Sequence, residues 1–570
     1  MSAEPAGPDV TSSGNPPAGG WRSTRDYFLA GLVATGFAVA LSEMLASFFV
    51  SAPSLVLTIG QRFIDITPAA LKDWAIAVFG TNDKAVLIGG IVVVTIIIGG
   101  LLGVVARKRM EVAAMGFVAF GVLGYALGIT DPLATAGATL LPAIAAAGSG
   151  IAVLVLLIRL LQGAATGSAD PARAVSPDAR RAFMTASGAA VVLAVGQVVI
   201  GRLASSRNQS AVAAREQVTL PTVAASPDTT AATQSATTVA TTAAVEEAPV
   251  AEATTTTQAE EVARTVADPT PAQIAQVEGV SELITPNETF YRIDTALSFP
   301  NVDIDTWEVS FTGLVDSPFS LTYDELVALP MVERYITICC VSNVVGGGLI
   351  GNAKWLGVPL KDLVERAGVR PEGTQLIGRS VDRFTVGFPT EAVFDGREAL
   401  LAIGMNGEPL PVKHGFPARL VVSGLYGYVS ATKWLSEIEF ARWEDFDAYW
   451  IPRGWAKEAP IKTQSRIDTP RPGTVEVGTR AIAGVAWAQT RGIDKVEVQV
   501  DGGPWMEAIL PEELTIDTWR QWHLEYDFTP GAHTIAVRAT DGTGTTQTSE
   551  IVPPRPDGAT GYHTIQVVGV

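Results

Sequence analysis

The two cysteines of this 570-residue chain are neighbours, Cys339 and Cys340, and they close an apolar run from Arg334 to Asn343 that reads as a β-strand. Gly346, Gly347 and Gly348 follow, where backbone is able to come close to a ligand. Three chemistries fit such a pair. Cysteine serves often as a small buried apolar residue. A vicinal disulfide is a strained pairing suited only to an oxidising compartment. A thiolate at a strand end binds one soft, high-valent metal, and the glycine run would then admit a bulky cofactor. Strand alternation sends the two thiols to opposite faces, so at most one enters a given site. Two cysteines are too few for a zinc ribbon or a cysteine-ligated iron–sulfur cluster. A net charge of −18 removes the phosphate attraction on which nucleic-acid binding rests.

The elements that must position these residues are divided along the chain. With 48% hydrophobic and 17% charged residues beside that net charge, apolar and acidic residues have to be segregated. Residues 1–25 read as a disordered Pro/Gly/Ser/Ala tail. Residues 26–203 read as an all-α transmembrane bundle of about five helices, since Tyr27–Val50, Ala85–Ala106, Val112–Ile129, Ala143–Leu161 and Ala182–Ile200 are each long and apolar enough to span hydrocarbon. Pro142 marks a break before the fourth span. Pro53–Gly80, with Arg62, Asp65 and Asp73 among apolar residues, reads as an interfacial or re-entrant piece. Only Glu43 stands as an acid inside the first span, which makes a transporter a weak reading.

The basic groups Arg22/Arg25, Arg107–Arg109 and Arg159/Arg173/Arg180/Arg181 fall on alternate sides of the spans. The positive-inside rule then places the N-terminus in the cytoplasm and everything after span five outside. Ala179–Met184, a twin arginine followed by an aromatic and an apolar residue, resembles a signal for export of folded proteins. Read instead as ordinary inside-facing arginines, the pair gives the same topology. Residues 204–275, rich in Ala, Thr, Pro and Glu, read as a disordered linker that holds the outer region off the membrane.

Beyond it, short apolar runs separated by Gly, Pro and Asp turns predict a mostly β, α+β domain over 276–458. Trp307–Phe311 alternates as a strand, and Tyr323–Leu329 reads as a short helix ended by Pro330. Residues 459–570 predict an all-β, immunoglobulin-like sandwich, with strands at Ala481–Ala488, Lys495–Val500, His523–Phe528 and His533–Ala539. Trp487, Trp505 and Trp519 read as its core or interface.

Several strings in this outer region, taken in order, resemble the sulfite oxidase family of molybdopterin enzymes. They are T-I-C-C-V-S-N ending at Asn343, Ile350–Leu360, H-G-F-P-A-R-L-V-V-S-G from His414 to Gly424, and Lys433-Trp434. The resemblance implies that Cys340 ligates molybdenum and that Cys339 is a packed strand residue. It implies that His414, Arg419 and Lys433 hold the pterin and its phosphate, as two cations and an imidazole suit an anionic cofactor. Arg292, in Phe290–Asp294, resembles an arginine that lines the family's site, and Asn343 is a cofactor-binding or turn residue. The sandwich resembles the family's dimerisation domain, so a homodimer is expected.

Two departures bear on substrate. The family's sulfite oxidases carry an arginine shortly after the metal cysteine, where this chain has Val344 and Val345, and Trp455 stands where they place a tyrosine. Arg453 offers a replacement positive charge. A sulfite-oxidase-like reaction on a small oxyanion or oxide is therefore expected, with reduction of an S- or N-oxide as its competitor. A non-catalytic anchored binding module is the alternative of another class, and the joint presence of Cys340, His414, Arg419 and Lys433 argues against it.

Two-electron chemistry at molybdenum requires a second redox partner. His414, His523, His533 and His563 are all four histidines and all follow the spans, so no span supplies a histidine axial ligand to haem. The electron carrier is expected to be a separate protein, and visible spectra of the purified chain are expected to lack a Soret band. A stoichiometric Soret band would overturn that.

Overall fold

The Ile- and Val-rich stretch after Ala85 folds as one helix, and four more helices share its length and apolarity. In a computed structural model, residues 19–49, 51–68, 71, 78–79, 83–131, 134–162, 177–207, 210–221, 265–297 and 299–570 are described. Among them, Thr24–Ala46, Lys84–Ala106, Met110–Gly128, Ala136–Gln162 and Arg180–Ala204 are long and apolar enough to cross a membrane. They lie within helices α1 (Gly19–Ala46), α3 (Asp83–Ala106), α4 (Met110–Gly128), α5 (Ala136–Gln162) and α6 (Pro177–Arg207), with α2 (Leu55–Ile66) between the first two. Ala30, Ala34, Phe117, Leu154, Leu157 and Phe183 form the inner core of this bundle, while Val122, Ile144, Val192 and Leu193 are exposed. Apolar residues inside and outside alike are what a hydrocarbon solvent demands.

Two expectations change here. Helix α1 begins at Gly19, inside the segment assigned to the tail, while residues 1–18 lie outside the described residues. Helix α5 runs through Pro142 and starts at Ala136. The proline sits in the second turn, where its ring removes one hydrogen bond near the helix start, and Thr139 Oγ1 donates to the Thr135 carbonyl at 2.9 Å beside it. Glu43 has a local task. Its Oε1 accepts the Val56 N–H at 3.2 Å and Ser54 Oγ accepts that of Leu57 at 3.1 Å, so the acid helps to cap α2. Of the interfacial piece, α2 is described, and residues 69–70, 72–77 and 80 lie outside the described residues.

The stretch assigned to the linker also differs. Helix α7 (Ser210–Gln217) packs Ala211, Ala214 and Val218 on the β region, and Arg215 donates to the carbonyls of Pro409 and Leu410 while pairing with Glu408 at 2.8 Å. Asp268 pairs with Lys354, and the Ala275 N–H donates to Gln521 Oε1 at 2.8 Å. Low apolar content thus concealed two ordered flanks, 210–221 and 265–275, on either side of residues 222–264, which lie outside the described residues. Both flanks from Ala211 onward belong to one compact unit, made of Ala211–Thr295 and Val302–Val570; the other comprises Met1–Ser210 and Ala296–Asn301.

Two sheets form the first part of the β-rich unit. One has the order β2-β1-β10-β5-β6, from Phe319–Thr322, Glu308–Gly313, Leu435–Ala441, Gln375–Ser380 and Thr385–Pro389. The other has the order β3-β4-β7-β8, from Val332–Cys339, Ile350–Pro359, Ala399–Met405 and Glu408–Pro409, with β9 (Arg419–Val422) also on β7. Leu356, Leu401, Ile403 and Leu420 face the core shared with Val309, Phe311, Leu376 and Ile438, whereas Ile336, Trp355, Leu400 and Ala402 face the second cluster on which α7 sits. Strands covered on both faces read as unbroken apolar runs, as β7 does. The short helix predicted to reach Leu329 stops at Val327 and starts with a capping box, Thr322 to Glu325.

The C-terminal part is two sheets around one core. Sheet β11-β13-β16 (Gln464–Thr469, Gly478–Trp487, Arg520–Phe528) contributes Ile467, Ile482 and Trp522. Sheet β12-β18-β17-β14-β15 (Gly473–Val475, His563–Gly569, Gly531–Asp541, Ile493–Val500, Met506–Glu507) contributes Val496, Val498, Ile535 and Val537. Trp487 and Trp519 are buried in the other core, with Val485, and so form the seam between the two β parts. Trp505 is half-buried against Tyr562.

His533 ties the β14–β17 side of the sandwich: Nδ1 meets Asp501 Oδ2 at 2.7 Å and Nε2 meets the Thr529 carbonyl at 2.8 Å. Both partners are acceptors, so the ring is suited to carry two protons, and the hydrogen bond to Asp501 raises its pKa. A raised histidine pKa gives stability that is complete below the unfolded value of about 6.5 and is lost as pH rises through the folded value. Thermal unfolding is expected to show that loss in the wild type above about pH 6.5, and His533→Gln is expected to flatten it.

Candidate active site

Strand β3 carries Cys339 into the main core, and the chain leaves the strand at Cys340. Both thiols are buried, free and not disulfide-linked, but Cys340 is absent from that core and its Sγ instead lies 2.9 Å from Ser342 Oγ. Burial raises the Cys340 pKa, while the Ser342 hydrogen bond and the charge of Lys433 work in the opposite direction. Those two contributions favour the thiolate, the form that ligates metal. Burial pushes the Cys339 thiol well up.

The Cys340 turn is closed by backbone and by Asn343. The Asn343 N–H donates to the Cys340 carbonyl at 3.0 Å, and Asn343 Oδ1 accepts the Leu349 N–H at 2.8 Å. Asn343 Nδ2 is buried without a close hydrogen-bond partner, and the amide acts on the Cys339 thiol, pulling its pKa down against burial. The glycines that follow are packed more than open. A Cβ on Gly346 would stand 2.3 Å from the His563 ring and one on Gly347 2.5 Å from Asn343 Oδ1; only Gly348 has open space. The expected gap for a bulky cofactor is therefore confined to one position of the three.

His414 ends a short 3-10 turn before β9, and Arg419 is the first residue of that strand. His414 is buried, with Nε2 3.1 Å from the Asn287 carbonyl and its ring edge-on to Phe290. Burial, and then the neighbouring Arg419 charge, push its pKa down to about 3. The ring is neutral at ordinary pH, donates Nε2–H to Asn287 and keeps Nδ1 as an acceptor. Arg419 Nη1 donates to the His414 carbonyl at 3.1 Å, and its guanidinium lies 5.1 Å from the Trp355 ring. Burial lowers its pKa to about 10, so it stays charged.

Lys433 donates Nζ–H to the Ile293 carbonyl and pairs with Asp294, each at 3.1 Å. Burial lowers its pKa to about 8 against the opposing pull of Asp294. Gly415 makes this convergence possible. Its φ is +114°, and a Cβ there would stand 3.0 Å from Lys433 Cβ and 3.2 Å from Arg419 Cβ. Trp434 completes the turn from a positive φ of 50°, its Nε1–H donating to the Val412 carbonyl at 2.8 Å.

Cys340, His414, Arg419 and Lys433 thus belong to one electrostatic neighbourhood. Arg292 is 44% exposed and its Nε is 3.5 Å from Asp294. The sequence reading passed over Tyr291, Asp294 and Ser342. Tyr291 lies where Cys340 and Arg419 both act on its hydroxyl, whose pKa burial raises well above the ordinary value. Its adjacency to Arg292 was the available signal. Arg453 stacks 3.7 Å over its neighbour Tyr449, and Trp455 packs on Tyr428 and Trp450.

A buried thiol with a hydroxyl and a lysine charge beside it, two buried cations and a neutral imidazole fit a metal carried by an anionic organic ligand. Comparison with known proteins agrees. Residues 296–450 match the family described as oxidoreductase molybdopterin binding domain. The chain is 32% identical to mitochondrial sulfite oxidase of Rattus norvegicus over 308 residues, 45% of this chain and 55% of that protein. It is 30% identical to sulfite oxidase of Arabidopsis thaliana over 288 residues, 41% of this chain and 72% of that one. Nitrate reductase [NADH] 1 of Oryza sativa subsp. japonica is 28% identical over 318 residues, 44% of this chain and 35% of that protein. The chain spans little more than half the length of the mammalian relatives it matches.

Gly415→Ala is expected to cost about 1–3 kcal/mol, because it adds a Cβ at positive φ between two buried cations. Thermal unfolding of the purified chain measures this, and an unchanged midpoint would contradict the role assigned to Gly415.

Proposed function

The chain belongs to the sulfite oxidase family of molybdopterin-dependent oxidoreductases, and from that premise we propose that it is a membrane-anchored enzyme whose active site faces away from the cytoplasm. The observation that carries the catalytic reading is the convergence of the buried Cys340 thiol with His414, Arg419 and Lys433. Cys340 would hold molybdenum. Arg419, Lys433, the Nδ1 of His414 and Asn343 would hold the pterin ligand and its phosphate. Bound molybdopterin supplies two-electron oxygen-atom transfer.

This chain's own residues set the conditions for that chemistry. Ser342 stabilises the thiolate by hydrogen bonding, and Lys433 adds positive charge. Asp294 orients Lys433 and stands beside Arg292, which is exposed enough to meet a substrate. The substrate class is a small oxyanion or oxide. Reduction of an S- or N-oxide is the second reading. It is favoured by Val344, which is 55% exposed at the position where an arginine would attract an anion.

Anchoring rests on the five apolar helices among the described residues; five crossings leave the chain after α6 opposite the N-terminus. With Arg22, Arg25, Arg107–Arg109, Arg180 and Arg181 inside, that side is extracytoplasmic. The two-sheet C-terminal part we read as immunoglobulin-like and as the dimerisation surface, with a separate electron carrier docking on the enzyme.

One molybdenum and one pterin per chain are expected from a cofactor-competent host. Cys340→Ser is expected to lower turnover by more than about 100-fold, beyond the range for losing a group that only orients a metal ligand. Assays with sulfite and an oxidised acceptor, against S- and N-oxides and a reduced viologen, decide the direction. A folded chain empty of both metal and pterin would sink the enzyme reading and leave the anchored binding module.

A further inference from the structure

The loop after Cys340 is held by residues more than a hundred positions away. Arg466, on β11, is buried, and each of its nitrogens is engaged. Nη1 donates to the Gly347 carbonyl at 2.8 Å, Nη2 to Ser281 Oγ at 2.8 Å and Nε to Asp468 Oδ1 at 2.6 Å. Asp468 Oδ2 accepts the Ser281 N–H at 2.9 Å, and the guanidinium lies 6.0 Å from the Trp519 ring. His563, at the start of β18, presses on the adjacent position: its ring occupies the space where a Gly346 side chain would begin. Its Nδ1 accepts the Ile467 N–H at 3.0 Å, so it too is fixed from β11.

The loop itself has little of its own to stay in place. Gly346, Gly347 and Gly348 have the most backbone freedom of any residues. Within the loop, the Gly347 N–H donates to the Val344 carbonyl at 2.8 Å, and Asn343 spans from Cys340 to Leu349. A displacement at Gly347 is therefore passed through this short network to Cys340. A charge-assisted hydrogen bond from a guanidinium already locked by a carboxylate is the strongest restraint available to a glycine carbonyl.

We propose that Arg466 is a positioning residue for the Cys340 thiol, acting through the Gly347 carbonyl from the C-terminal β part, with Asp468 and Ser281 as its anchor and His563 as the second contact. The proposal rests on the reading of Cys340 as the metal ligand. It gives the C-terminal part a share in the active site that a purely dimerising module would lack.

The test compares Arg466→Met and Arg466→Lys with wild type in the full-length, detergent-solubilised chain, prepared both with cofactor and from a cofactor-deficient host. In the cofactor-free chains, iodoacetamide labelling of both cysteines is followed by peptide mass spectrometry, with the thermal unfolding midpoint as the control for general loosening. Labelling of Cys340 is expected to accelerate about tenfold in Arg466→Met and less in Arg466→Lys, while Cys339, whose thiolate the Arg466 charge favours, does not accelerate. In the loaded chains, turnover per bound molybdenum is expected to fall about tenfold at unchanged KM, with an altered Mo(V) paramagnetic spectrum. Unchanged Cys340 labelling in both variants, or equal acceleration of both cysteines, would overturn the proposal. Should Arg466→Met unfold, the Arg466→Lys comparison decides. A wild type that binds no molybdenum would defeat the ligand reading by itself, and the Cys340 labelling rate would still judge the clamp.

Discussion

Two positive charges, Arg419 and Lys433, are buried near one another and beside a histidine, and most of the architecture around them answers the cost of keeping them there. Each lowers the proton affinity of His414, and Arg419 does the same to Lys433. Desolvated like charges are unfavourable unless each finds compensation. Arg419 finds it in the His414 carbonyl and the Trp355 face, Lys433 in Asp294, the Ile293 carbonyl and the Trp434 face. The turn at Val412–Gly415 and the reversal at Lys433-Trp434 exist in positive-φ geometry because only that brings both cations to one place. A site that concentrates positive charge in this way is stable chiefly when something anionic shares it.

Much of this was legible in the sequence, for a definite reason. Runs such as Ala399–Met405 and Val332–Cys339 carry their burial in their composition, and the strands form where those runs lie. Cys340, His414, Arg419 and Lys433 sit in short local strings, so a resemblance could find them one at a time. What escaped is what depends on distant partners. The glycines at 346 and 347 looked like room for a ligand, yet they are room for His563 and Asn343. Trp487 and Trp519 looked like sandwich core or interface, and which of the two is settled by strands that precede them by more than a hundred residues, with which they close a seam. Nothing in a local window distinguishes these cases, because the difference lies in which remote surface arrives.

The same limit governs the apolar half. Hydropathy found the five helices long and apolar enough to cross a membrane among the described residues, but not that the Glu43 carboxylate would meet the start of α2. Composition misjudged Ser210–Gln217 as well. An eight-residue helix with small alanines buries little area, so its hold depends on Arg215 reaching the carbonyls of Pro409 and Leu410. Small residues that fit closely are nearly invisible to a hydropathy average.

The docking of α7 has a consequence for how this chain tolerates change. Residues 211–221 and 265–275 are anchored on the same body, so the Ala/Thr-rich stretch between them closes a ring on that body instead of bridging two. Insertions and deletions in that stretch leave both of its anchored ends in place, and they leave unaltered the short covalent path from the last apolar helix to the catalytic body. Length there is free to drift, or to be recruited for new sequence, without moving the active site.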